Sequence, residues 1–388
     1  MTTVLYSGYY DPDKDKGPFE VDPNFFYLTS CDLPNVTIIK HHKKDYVLVE
    51  IPDISNYDAE HFKMKLKHCF NAEIVDLKDL IKLLQNCKII HTLENIESHP
   101  NFSSLRRFPM DMSSISSKLL KKRELKFIDE IKSIEHACKY TSGGIKHIMK
   151  RSKPNMSQIE LSGLFKHYLS KFGIQKLSFN PITAHGKYNQ YLHYEAKDRK
   201  VTNGSLVLLD LGCKYNHYCS DISRCFPISG KFTKLQKNLY NVVLRGLKYA
   251  LTLMKPGAHW QTITHKVILK LYDECLKIHL VVPLQHKSDK VKVMTTLMPH
   301  LLGHHVGLIT HDCGPITTLK KDMVVAVEPG IYFQTGKDKS PHINASTWQE
   351  YEHIGGIRIE DTIVITSTGY KNLSKVTKEI AGIEKLMK

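Results

Sequence analysis

The chain has 388 residues, 41% of them hydrophobic and 24% charged, which suits a folded globular protein of two or three domains and is too apolar for a disordered one. Its 55 basic residues against 39 acidic ones leave a formal charge of +16. The lysines are scattered in small groups such as Lys43-Lys44, Lys118–Arg123, Lys287–Lys292 and Lys320-Lys321, and the excess holds few of the Arg forks that phosphate and base recognition prefer, so a solvated surface is favoured over nucleic-acid binding.

Met1 to Glu20 carries Tyr, Asp, Lys and Pro where a signal peptide needs an apolar stretch. From Pro23 to Leu93, short apolar runs alternate with polar punctuation. Phe25–Leu28 and Tyr46–Val49 read as strands, Asp58–Phe70 and Leu77–Leu84 as helices, together a small α/β domain. The Ser-rich stretch Ser103–Ser117, with Pro109, reads as a linker, so the domains are placed at 1–116 and 117–388. Lys118–Met149 follows with helical spacing of Leu125, Ile128, Ile131, Ile134, Cys138, Ile145 and Ile148. Ser157 with Glu160 announces the next helix, which Gly173 ends. Ser205–Leu211 is a buried strand, Gly212–Asn216 a turn and Tyr218–Phe226 a partner strand. Thr233 with Gln236 opens a helix stopped by Pro256-Gly257, and another spans Gln261–Ile278. Met323–Val327 and Ile357–Ile365 complete the strands. Helix pairs interleaved with antiparallel-type strands indicate an α+β fold and not a doubly wound one. No run approaches the ~18 apolar residues of a membrane span. Nine cysteines, an odd number without a C-x-x-C pair, indicate reduced thiols in the cytoplasm and no Cys-based zinc site.

Acids seldom occupy apolar strand runs unless paired or bound to metal. Here Asp210 is enclosed by Leu208, Leu209 and Leu211, and Asp221 follows after a hairpin-length interval. Glu328 ends Val324-Val325-Ala326-Val327, and Glu360 sits in Ile357-Arg358-Ile359-Glu360. Each alone reads as an edge acid or half an ion pair. Four in one domain, without equally buried cations, would repel by several kcal/mol and call for a multivalent metal. The stretch Pro299–Gly307, continuing to His311-Asp312, supplies imidazoles. The His300 to His304 spacing matches a helical metal face, although Gly303 and Gly307 argue against a helix there. One imidazole with four carboxylates is an oxygen-rich set suited to catalytic Mn²⁺, Co²⁺ or Zn²⁺.

Taken in order, Asp210 with Asp221, His300–Asp312, Val327–Tyr332 and Gly356–Asp361 resemble the dinuclear-metal Xaa-Pro peptidases, the prolidases and aminopeptidases P. Asp221–Thr233, Leu192-His193-Tyr194, the entry helix near Glu124 and the C-terminal helix Glu379–Met387 are similar to prolidase in particular. The resemblance covers nearly the whole chain. It implies a C-terminal pita-bread (creatinase/aminopeptidase-like) catalytic domain behind a shortened creatinase-like N-terminal domain. It also implies Asp210, Asp221, His304, Glu328 and Glu360 as ligands of two divalent cations, Mn²⁺ first, with Asp221 and Glu360 bridging. His193, His300 and His311 would line the substrate site and Arg358 would support the ligand shell. A hydroxide bridging the metals would attack the scissile carbonyl, an imidazole (His193 or His300) would stabilise the oxyanion, and Glu328 would carry a proton to the leaving nitrogen.

The implied activity is a metal-dependent Xaa-Pro dipeptidase of prolidase type, with Xaa-Pro aminopeptidase as the alternative. The interval from Asp312 to Val324 is short and holds Lys320 and Lys321 but no Arg to grip a dipeptide's carboxylate. Leu301 stands where the family has Gly after the first histidine, and His305 is an extra imidazole. A metal-free pita-bread binding module is the reading from another class, disfavoured by the intact ligand set, and methionine aminopeptidase is a third. A homodimer follows from the resemblance alone.

Overall fold

The computed structural model describes residues 2–8, 19–42, 44–49, 69–70, 72–85, 87–335 and 340–388; most of the helix expected over Asp58–Phe70 lies outside them. The chain divides into two units, Met1–Lys122 and Arg123–Lys388. In the first, β1 (Thr2–Tyr6), β2 (Val36–His41), β3 (Lys44–Val49), β4 (Glu73–Ile74), β5 (Ile90–His91) and β6 (Met110–Asp111) form one mixed sheet in the order β4-β3-β2-β1-β5-β6. Successive residues of a strand point to opposite faces. Leu5 and Ile38 therefore join a core with Phe25, Val36 and Val47 on one side. Val4, Tyr6 and Ile39 join Leu80 and Leu84 on the other.

Two expectations fail in this unit. Phe25–Leu28 belongs to helix α1 (Pro23–Thr29), because Asp22 caps it by accepting from the amides of Asn24 and Phe25 and Pro23 opens it. Those local start signals outweigh a four-residue apolar run that fits either structure. The Ser-rich stretch is not a linker. Asp111 accepts from the amides of Ser113 and Ser114 and so starts a helix, Ser113–Arg123, whose Ile115 and Leu119 are buried in the sheet's core. Leu77–Leu84 forms a helix, capped by Asp76.

In the second unit the periodic stretch 118–149 is not one helix. The chain breaks after Arg123 and restarts as Ile128–Arg151, where the Glu130 carboxylate accepts the Phe127 amide at 2.7 Å. Ile128–Arg151 packs on Gln158–Ser170, and Lys234–Thr252 packs on Trp260–Lys277. The boxes at Ser157/Glu160 and Thr233/Gln236 both form. The helices cover short antiparallel sheets. One has the order β11 (Ile222–Pro227), β8 (Leu206–Leu211), β7 (Ile182–His185). A second has the order β12 (Val324–Val327), β15 (Asp361–Ile365), β16 (Tyr370–Asn372). A third pairs β13 (Gly330–Tyr332) with β14 (Gly356–Arg358), and a small hairpin pairs β9 (Lys214–Tyr215) with β10 (Tyr218–Cys219). Among the described residues no helix is long and apolar enough to cross a membrane.

Candidate metal centre

The β8–β11 ladder sets Ser223 opposite Asp210, and Asp221 stands just ahead of β11. On β12–β15 the last pair is Val327 with Asp361, and on β13–β14 the pair is Gly330 with Arg358. Between them Glu328-Pro329 and Ile359-Glu360 interrupt both ladders at the same level. Pro329 has no N–H to offer a ladder. The freed amides find other partners: Glu360 donates to the Ser223 carbonyl at 3.1 Å and Glu328 to the Leu302 carbonyl at 2.9 Å. Two kinked strands and one hairpin thus converge their acids.

The stretch carrying His300 and His304 is a loop, not a helix. It runs along β12, with the Ala326 amide donating to the His304 carbonyl at 2.8 Å and the Val306 amide to the Val324 carbonyl at 3.0 Å. That approach demands glycine. A Cβ on Gly303 would lie 1.9 Å from the Ala326 oxygen, and one on Gly307 would lie 2.0 Å from Asp312 Oδ2. The Nδ1 of His304 is 2.9 Å from the His305 carbonyl. A carbonyl can only accept, so Nδ1 carries the proton and the Nε2 lone pair faces Asp221 Oδ2 at 3.5 Å and Glu328 Oε1 at 3.7 Å. Asp221, His304 and Glu360 present ligand atoms within 4.8 Å of one another.

The expectation that no cation is buried with the acids is wrong. Arg358, 3% exposed, donates to Asp210 Oδ2 at 2.7 Å, to the Ser223 hydroxyl at 2.9 Å and to the Tyr332 hydroxyl at 3.0 Å. Ser223 in turn donates to Glu360 Oε2 at 3.0 Å. One guanidinium cannot balance four carboxylates. Burial and then the neighbouring acids push Asp221 and Glu360 well above the ordinary carboxylate range. Burial likewise raises Glu328 to about 8, against the pull of Arg358. Asp210 Oδ1 and Asp221 Oδ1 are buried without a hydrogen-bond partner among the described residues. Acceptor-only oxygens left open around an excess of negative charge fit a set of divalent cations.

The remaining nominated residues also gather here. His300 donates from Nδ1 to the Leu301 carbonyl at 2.8 Å, meets the Tyr332 hydroxyl through Nε2 at 3.0 Å, and lies 3.9 Å from Glu328. Burial lowers its pKa to about 4, so the ring is neutral. The exposed His311 ring meets that of His304 edge-on at 4.3 Å. His193 is exposed and near enough to depress the His300 pKa electrostatically. Two participants escaped the sequence reading. Tyr332 gives no local signal of its hydroxyl's role. Ser223, two residues beyond Asp221 in an apolar strand, was reachable from strand register.

A family model, metallopeptidase family M24, matches residues 132–367. An uncharacterized peptidase of Saccharomyces cerevisiae is 29% identical, over 98% of this chain and 77% of its own length. A "probable Xaa-Pro aminopeptidase" of Ajellomyces dermatitidis is 26% identical, over 95% of this chain and 88% of its own. Among solved structures, proline aminopeptidase P II from Yersinia pestis superposes with a TM-score of 0.86 at 25% identity, covering 100% of this chain and 94% of that one. Escherichia coli aminopeptidase P with the inhibitor Pro-Leu gives 0.84 at 25% identity, over 100% and 93%.

Proposed function

The chain belongs to metallopeptidase family M24, the pita-bread peptidases, and from that premise we propose that it is a Xaa-Pro aminopeptidase, releasing the N-terminal residue of peptides whose second residue is proline. The observation that carries the reading is the cage itself: four acids and one lone-paired imidazole, with the buried Arg358 guanidinium paired to Asp210. Asp210, Asp221, His304, Glu328 and Glu360 would hold two divalent cations, Mn²⁺ being our first choice. When bound, such cations make a water-derived nucleophile available at neutral pH and polarise the scissile carbonyl.

The chain's own groups do the rest. Arg358 and Ser223 fix the outer oxygens of Asp210 and Glu360, so these acids keep their orientation. The exposed imidazoles of His193 and His311 are donors for the substrate's developing oxyanion, while the neutral His300 is tied to Tyr332. Glu328, between His300 and His304, carries a proton to the departing proline nitrogen. That nitrogen leaves a tertiary amide and needs protonation to depart.

Substrate length turns on the segment from Asp312 to Val324. Its two lysines are engaged, Lys320 with Glu124 at 3.1 Å and Lys321 with Asp322 at 3.8 Å. Both are exposed lysines in solvent-screened ion pairs, and the segment holds no Arg fork to grip a dipeptide's carboxylate, which favours longer peptides over the prolidase-type reading that the motifs suggest. The test is hydrolysis by Mn²⁺-loaded protein of Gly-Pro and Ala-Pro against Xaa-Pro-Pro peptides. The longer peptides are expected to be cleaved about tenfold faster or more. Faster cleavage of dipeptides would restore the dipeptidase, and cleavage of Met-Ala alone would end the Xaa-Pro reading.

A further inference from the structure

We propose that Asp312 is a positioning residue for the metal centre: clamped by Arg123 and Lys126, it fixes the carbonyl that orients His304. This rests on the reading of His304 as a metal ligand. The Asp312 side chain is 1% exposed and those of Arg123 and Lys126 are 2% and 1% exposed. Arg123 Nη2 donates to Asp312 Oδ1, and Lys126 Nζ and the Cys313 thiol donate to Oδ2 at 3.1 and 3.0 Å. An acid held by two cations away from water has its orientation fixed strongly, because both Coulomb attraction and hydrogen bonding act at low dielectric. The clamp is itself anchored, since the Lys126 amide donates to the Asp322 carbonyl at 2.9 Å.

The backbone transmits that fixation. The Asp312 amide donates to the His305 carbonyl at 3.0 Å, and the same oxygen accepts the His304 Nδ1 proton at 2.9 Å. One carbonyl therefore references the ligand's ring to Asp312. The residue before Asp312 is His311, whose ring meets that of His304. Gly307 leaves no room for a side chain against the Asp312 carboxylate, so the loop backbone lies directly against that acid. Two cations against one acid leave a surplus of one charge, so removal of Lys126 leaves a neutral Arg123–Asp312 pair and a chain able to fold.

The experiment uses the full chain stripped with chelator and titrated calorimetrically with MnCl₂, beside kcat and KM on an Xaa-Pro-Pro peptide. Lys126→Gln and Asp312→Asn are expected to weaken Mn²⁺ binding by roughly 10- to 100-fold. They should lower kcat while leaving KM near the parent value, and Lys126→Arg should recover most of the loss. Parent Mn²⁺ affinity in variants that retain the parent circular dichroism spectrum overturns the proposal, as does a loss that merely follows the unfolded fraction. Because the titration needs no substrate, inactivity of the parent on Xaa-Pro peptides would overturn the substrate reading alone.

Discussion

Glu360 and Asp361 stand side by side, 1% and 0% exposed, and they experience opposite electrostatics. Asp361 accepts from Arg224 at 2.7 Å, Asn372 at 2.6 Å and Lys378 at 2.5 Å. Burial alone would raise its pKa, but Arg224 and Lys378 outweigh burial and hold it below the ordinary range. For Glu360, burial and then the facing Asp210 and Glu328 raise the pKa well above that range, and Arg358 with the one hydrogen bond donated by Ser223 does not offset them. Equal burial on consecutive residues therefore says little by itself. The count of donors separates an ion pair that holds the fold from an acid that the proposed reading gives to a cation.

The sharpest way to break this comparison is a pair of isosteric variants. Glu360→Gln should lower kcat/KM by about three orders of magnitude or more, yet leave the metal-free fold as stable as before or more so, because it removes a repelling charge. Asp361→Asn should cost roughly 3–5 kcal/mol of stability with or without metal, since Arg224 and Lys378 would face a neutral group. Urea midpoints in chelator and in Mn²⁺ read both effects. Equal destabilisation by the two variants would show that the two acids do the same work.

A second test varies pH. Glu328, raised to about 8, and the raised Asp221 and Glu360 hold more protons in the metal-free folded chain than in the unfolded one. The stability of the chelated protein should therefore fall as pH rises from about 4.5 towards 8, by on the order of a few kcal/mol. Mn²⁺ should flatten that slope. Paired acids behave oppositely. Glu274 lies low, near 2, because Lys270, Lys277 and Arg245 outweigh its burial. Its contribution is complete above the ordinary carboxylate pKa and is lost as pH falls towards 2. Thermal midpoints from pH 5 to 8, with and without chelator, decide the matter. The smallest expected effect is Thr233→Ala, which removes the cap on the Gln236 amide and should cost about 1 kcal/mol while leaving Mn²⁺ affinity unchanged. A change in that affinity would mean that helix packing, and not local charge, governs the cage.

What could be read beforehand was what is local. The capping boxes at Ser157 and Thr233 and the lone acid inside Leu206–Leu211 carry their meaning within a few residues. The break at 124–127 does not, because no Gly or Pro marks it and the Lys126 amide is engaged by Asp322, far along the chain. The family resemblance put Arg358 beside the ligand shell, but nothing local to it pointed to Asp210, 148 residues away. The residues nominated for the site were legible as types in order. The hydroxyls of Ser223 and Tyr332 that steady them were not, since tertiary geometry alone brings them there.

The stitches between kinked strands have one more consequence. Glu360 to Ser223, Glu328 to Leu302 and Ala326 to His304 are main-chain bonds, so the cage is assembled by peptide groups that need no ion. In a small zinc module the metal creates the structure. Here peptide groups hold the walls, so on the proposed reading exchange of one divalent cation for another should leave the fold intact.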